Sequence, residues 1–126
     1  MKENYDVLII GAGVIGSAVA RELSAYNCSV IVVDRESDIC EGTSKANSGI
    51  VHGGFYAKPG SLKALLNVRG NKMMDDVAEE LDVPFRRVGA MVIARGEGDT
   101  PALEKLYSHG IQNGVEGLEK IGRAHV

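Results

Sequence analysis

The chain has 126 residues and a net charge of −3, with acidic and basic residues mixed along its length. That length suffices for one domain with a buried core, and the charge pattern holds neither a basic tract for nucleic acid nor a polybasic anchor. Neither end reads as a signal peptide or transmembrane segment, which predicts a cytoplasmic protein, free or peripheral to a membrane.

Val7–Ile10 is short, β-branched and followed at once by glycine, the pattern of a strand buried on both faces. Gly11, Gly13 and Gly16 then set out the run G-A-G-V-I-G. The first glycine permits a tight turn, the second lets the backbone approach a pyrophosphate, and the third lets a helix pack closely on the sheet. A side chain is expected to obstruct each of the three. The helix predicted from Val14 to about Ala25 carries Val14, Ile15, Ala18, Val19 and Leu23 on one face. Its N-terminus offers unpaired N–H groups to a diphosphate.

Residues 29–33 read as a second buried strand, entered by Cys28 as a small apolar residue, and Asp34 ends it. This is close to the spacing of about 20 residues expected of an acid that binds an adenosine ribose. A carboxylate there favours an unphosphorylated ribose, a preference that Arg35 weakens. Strand, glycine loop, helix, strand and acid together predict a dinucleotide site; the competing reading is a structural strand–helix–strand turn. Cys28 and Cys40 lie outside metal-ligand and CxxC spacings, so no metal is expected and no redox role is assigned.

Residues 35–60 turn to Gly, Ser, Thr, Asn and Lys with no amphipathic period, which favours a binding segment over a connector. Thr43, Ser44, Asn47 and Ser48 supply hydroxyl and amide groups, and Gly42, Gly49, Gly53 and Gly54 allow close backbone approach; a polar loop without a ligand fits the same composition. His52, the first histidine of the chain, reads either as a general base near neutral pH or as a structural residue.

Ser61 is a suitable N-cap for a long helix whose apolar positions include Leu62, Leu65, Leu66, Val68, Met73, Val77 and Leu81, with Gly70 as a soft spot and Pro84 beyond its end. Residues 85–88 and 90–94 read as two short strands joined at Gly89, with Arg86 and Arg87 either facing an anionic substrate or lying on a solvated edge. A further helix is predicted near Thr100, with Pro101 at its first position, and the pattern fades after Gly114. Residues 120–126, KIGRAHV, are similar to a translated sequencing adapter and read as a non-native tail on a truncated frame.

Over residues 5–117 the chain resembles the flavin-dependent oxidoreductases related to D-amino-acid oxidase. Within them it is similar to the N-terminal part of glycerol-3-phosphate dehydrogenases and oxidases, and of the neighbouring L-2-hydroxyglutarate oxidases. The glycine loop and Asp34 are shared with many nucleotide-binding proteins. The specific match is GTSKANSGIVHGGFYAKPGSLKALLNVRGN, with GAMVIA matching the first strand of a substrate domain.

The resemblance implies an α/β architecture: a Rossmann-like FAD-binding domain with a parallel sheet, truncated, with its N-terminal part at residues 1–83 and the first strands of an incomplete substrate domain at 84–119. FAD is the implied cofactor. Its diphosphate would lie on Gly11, Ala12, Gly13, Val14, Ile15 and Gly16, its ribose on Asp34 beside Arg35, and its flavin side along Thr43, Ser44, Asn47 and Ser48. His52 falls on the histidine that takes the hydroxyl proton of a secondary alcohol while a hydride passes to the flavin.

The implied reaction is sn-glycerol 3-phosphate to dihydroxyacetone phosphate, with L-2-hydroxyglutarate as the alternative substrate. The electron acceptor is open among oxygen, a quinone and a partner protein. Basic residues that clamp the small anionic substrate are expected beyond Val126, so the chain alone is expected to be inactive. A non-catalytic module holding ADP or NAD is the competing reading.

Overall fold

The computed structural model of the protein describes residues 4–122, so residues 123–126 of the expected tail lie outside the described residues. The chain divides into two compact units, Met1–Gly49 and Ile50–Val126.

In the first unit β1 (Val7–Ile10) and β2 (Val30–Val33) pair in parallel, with Val7 opposite Val30 and Ile10 opposite Val33. Asp6 latches the entry end, its carboxylate accepting from the N–H and hydroxyl of Ser29, both at 2.7 Å. At the exit end the Gly11 N–H donates to the Val33 carbonyl at 2.7 Å, extending the ladder into the glycine loop.

The crossover helix α1 (Val14–Leu23) corrects one expectation. Its half-buried side is Gly16, Ala20, Arg21 and Leu23, while Val14, Ile15, Ala18 and Val19 are exposed. Close approach decides this. A Cβ on Gly16 would stand 1.9 Å from the Gly11 carbonyl oxygen and 3.2 Å from Ile9 Cγ2, so the helix turns Gly16 inward and Val14, Ile15 and Val19 fall outside.

The expected double burial of β1 is likewise corrected: Val7 and Ile9 are half-buried, whereas Leu8 and Ile10 are exposed, Ile10 by 82%. Alternate residues of a strand face opposite sides, and among the described residues α1 packs on only one face of the sheet.

In the second unit α2 (Leu62–Glu80) starts at Ser61, whose hydroxyl accepts from the Ala64 N–H at 3.2 Å, and runs through Gly70 without a break. It stops short of Pro84, where Asp82 adopts φ +52°. A 3₁₀ turn at Glu97–Asp99 leads into α3 (Thr100–Asn113), with Pro101 in its first turn and a left-handed Gly114 as its cap. Ala57, Ala64, Ala78 and Gly110 are buried, and Phe55 and Leu118 close over Gly110.

The two short strands expected at 85–88 and 90–94 are not formed among the described residues. A strand exists through its ladder, and no segment offers one here. Arg87 instead ties this stretch to α2: its guanidinium donates to both Asp75 carboxylate oxygens, with Nε at 2.8 and 3.1 Å, and to Asn71. That pairing lowers the Asp75 pKa and raises that of Arg87, so the guanidinium is already committed to a carboxylate.

Candidate functional site

The site of the first unit is built at the carboxyl ends of two parallel strands, where α/β folds bind ligands. Gly11 takes φ +103°, the left-handed conformation that glycine alone adopts without cost. A Cβ there would meet nothing within 4 Å, so Gly11 answers a backbone requirement and Gly16 a steric one. Of the three obstructions expected, the severe one is at Gly16. At Gly13 a Cβ would meet only the Ser44 hydroxyl, at 3.0 Å.

Asp34 closes back onto this loop. Its Oδ2 accepts from the Ala12 N–H at 2.6 Å and its Oδ1 from the Glu36 N–H at 3.0 Å. The Glu36 N–H first, then the Ala12 N–H, hold the carboxyl below its ordinary value of 3.8. Ser44 reaches back from the following loop, its Oγ accepting from the Val14 N–H at 2.9 Å, the first donor of α1. The Cys40 N–H donates to the Ala12 carbonyl at 3.1 Å.

A cavity of about 160 Å³ lies among Gly13, Asp34, Arg35, Glu36 and residues 40–44, and another of about 420 Å³ among Ile10, Gly11, Val33, Asp34 and Arg35. Asp34 and Arg35 border both.

Of the residues expected at the site, the glycine loop, Asp34, Arg35, Thr43 and Ser44 come together. Ile15 is 76% exposed on the outer side of α1. Asn47 and Ser48 line neither cavity; the Asn47 amide donates to the Ser44 carbonyl at 2.6 Å and its Oδ1 accepts from the Gly49 N–H at 2.8 Å, which shapes the turn after Ser44. Gly42, expected to allow close backbone approach, lies on the wall, and Glu36, Cys40 and Glu41 were not foreseen there. Cys40 arrives there through φ +59°, a conformation that no local sequence signal announced.

His52 belongs to the second unit and is exposed, with its carbonyl oxygen accepting from the Asn71 amide at 3.3 Å. Two residues on, Gly54 is buried at φ +103° against Val68 and Val115, so this glycine serves packing within the protein. The Asn113 amide donates to the carbonyls of Gly54 and Ala57, each at 2.9 Å.

Parallel strands joined by a glycine loop and helix, with a carboxylate at the second strand end, define an α/β nucleotide-binding unit. The groups gathered at these strand ends, main-chain N–H groups, a carboxylate and the hydroxyls of Thr43 and Ser44, are of the kinds that suit a dinucleotide. The family model described as FAD dependent oxidoreductase matches residues 6–126. The chain belongs to this family of FAD-dependent oxidoreductases.

Among its relatives, glycerol 3-phosphate dehydrogenase of Caloramator mitchellensis is 51% identical over 122 residues, covering 97% of this chain and 25% of the relative. Mitochondrial L-2-hydroxyglutarate dehydrogenase of Arabidopsis thaliana is 41% identical over 120 residues, covering 95% of this chain and 25% of that protein. The structure of dithionite-reduced L-alpha-glycerophosphate oxidase from Mycoplasma pneumoniae with FAD bound matches with a TM-score of 0.79 at 34% identity, over 91% of this chain and 30% of that one. The chain thus spans about a quarter of the length of the curated relatives it matches. Among the described residues no helix is long and apolar enough to cross a membrane, and no group of three or more His, Cys, Asp or Glu residues is arranged to hold a metal.

Proposed function

We propose that residues 1–83 form the N-terminal part of the FAD-binding domain, and residues 84–119 the start of the substrate domain, of an enzyme that oxidises sn-glycerol 3-phosphate to dihydroxyacetone phosphate. The observation that carries the substrate is the 51% identity with a glycerol 3-phosphate dehydrogenase across 97% of this chain. The 41% identity with an L-2-hydroxyglutarate dehydrogenase supports a second reading, in which the substrate is that hydroxy acid. Both substrates are small anions with a secondary alcohol, so the roles of this chain's residues are the same in either.

The backbone from Gly11 to Gly16 receives the diphosphate, and Asp34 beside Arg35 accepts from the ribose hydroxyls. Thr43, Ser44, Asn47 and Ser48 face the flavin side. FAD, when bound, supplies the acceptor for the two electrons that leave the alcohol carbon as hydride. His52 accepts the hydroxyl proton on a ring nitrogen as the alcohol becomes a ketone.

The protein expressed from its own gene, purified and assayed with an artificial electron acceptor, is expected to carry flavin absorbance and to be reduced faster by glycerol 3-phosphate than by L-2-hydroxyglutarate. Reduction by the hydroxy acid alone would transfer the assignment to the second substrate. Protein that takes up ADP but no flavin would leave only a nucleotide-binding module. His52→Ala should keep the flavin and lower kcat by about a hundredfold or more; full turnover would remove His52 from the reaction.

A further inference from the structure

The His52 loop is held in place by a chain of side chains that none of the functional assignments uses. Asn71 stands on α2 with its amide 3.3 Å from the His52 carbonyl oxygen. An amide has two chemically different ends, and which of them faces His52 is decided by its other partner. That partner is Arg87, whose Nη1 donates to Asn71 Oδ1 at 2.8 Å and whose Nη2 donates to the Asn71 carbonyl at 2.8 Å. Arg87 is in turn seated on the Asp75 carboxylate one turn further along α2.

A guanidinium presents only donors, so it takes the oxygen end of the Asn71 amide and leaves the NH₂ end toward the His52 carbonyl. Lysine has no planar fork with which to satisfy Asp75 and both Asn71 oxygens together.

We propose that Arg87, anchored by Asp75, orients Asn71 so that it fixes the main chain of His52, making Asn71 and Arg87 positioning residues for the proton acceptor. The inference rests on the reading of His52 as the base given above. It also assigns Arg87, left open between substrate contact and solvated edge, to neither.

Asn71→Asp isolates the proposed contact. The aspartate keeps an oxygen for Arg87 and so retains the clamp, but it offers no donor to the His52 carbonyl. In the isotopically labelled chain, the carbonyl ¹³C resonance of His52 should move in Asn71→Asp, in Asn71→Ala and in Arg87→Gln. Those of Gly54 and Ala57, held by Asn113, should stay. In the flavin-loaded enzyme the same variants should lower kcat per bound flavin by about ten- to a hundredfold, the scale on which small misplacements of reacting groups act, with KM and flavin content unchanged. Arg87→Lys should not restore the rate.

A His52 resonance that ignores Arg87→Gln would overturn the orienting role. A raised KM at unchanged kcat would make Arg87 a substrate contact instead. Lost thermal stability with normal kcat per flavin would reduce the network to scaffolding. Should His52→Ala turn over normally, the base reading fails, while the carbonyl shifts still decide whether Arg87 and Asn71 hold this loop.

Discussion

In the first unit the glycine loop is held by acceptors, the Asp34 carboxylate and the Ser44 hydroxyl, that take its N–H groups; in the second, the loop from His52 to Ala57 is held by the amides of Asn71 and Asn113, which donate to its carbonyls. The difference is chemical. An anionic ligand competes with a serine hydroxyl for the Val14 N–H and gains more from it, because hydrogen bonds to charged oxygens are the stronger. No anion competes for a carbonyl oxygen. The Val14 N–H is therefore open to exchange with an anion, whereas the Ala12 N–H is already held by the charged Asp34 and the carbonyls of the second loop are fixed by amide donors.

The largest expected effect breaks the first unit alone. In Gly16→Ala the new Cβ falls 1.9 Å from the Gly11 carbonyl oxygen, a backbone atom that cannot rotate aside. The cost should reach or exceed about 3 kcal/mol, the upper part of the overpacking range, and flavin binding should be lost with it. Urea unfolding followed by a probe in each unit would check this. A midpoint unchanged in the first unit would mean that the helix shifts freely on the strands and that the close approach is dispensable.

Next comes Asn113→Ala, which removes the donor to the Gly54 and Ala57 carbonyls. Leaving such groups unpaired costs about 1–3 kcal/mol, tempered because the Asn113 Oδ1 is itself buried without a partner and disappears too. The loss should appear as faster amide exchange across residues 53–57 with the glycine loop unaffected. Exchange that spreads equally into residues 11–16 would deny that the two supports are separate.

The glycine part of the first support is legible in the sequence because its requirements are local, whereas Asp34 and Ser44 lie 22 and 30 residues from the N–H groups they hold, and of the two only Asp34 stands at a recognised spacing. Gly11 needs a left-handed φ and Gly16 a missing Cβ, and both demands arrive within one short motif. The helix boundaries at Ser61, Pro101 and Gly114 are similarly local.

The second support is not legible. Asn71 and Asn113 look like ordinary polar helix residues until the fold brings them to carbonyls 19, 59 and 56 residues away. The stretch 85–94 misled for a related reason: β-branched composition signals suitability for a ladder, whereas the ladder itself depends on a distant partner. On α1 hydrophobicity named the wrong side, since the glycine that allows closest contact determined which face packs.

The smallest effect sharpens the comparison through two exposed carboxyls whose pKa values are both lowered, for different reasons. In Asp34 the cause is first the Glu36 N–H and then the Ala12 N–H, with the charge of Arg35 last; in Glu116 it is the Lys72 ammonium, through hydrogen bond and charge. A folded-state pKa below the unfolded one gives stability that is present above the unfolded value and lost as pH falls through the folded value. Both contributions are thus complete above ordinary values of 3.8 and 4.5 and vanish on acidification.

Salt separates them. At about 1 M the screening length shrinks to roughly 3 Å, which weakens an exposed ion pair but does not displace N–H groups already in hydrogen-bond contact. Carboxyl ¹³C titrations at low and high salt should show Glu116 rising toward its ordinary value while Asp34 stays low. If Asp34 rises as far as Glu116, Arg35 supplies the dominant attraction. The carboxylate would then be held by a flexible surface charge, and a ribose would no longer meet an acceptor already aligned by the glycine loop.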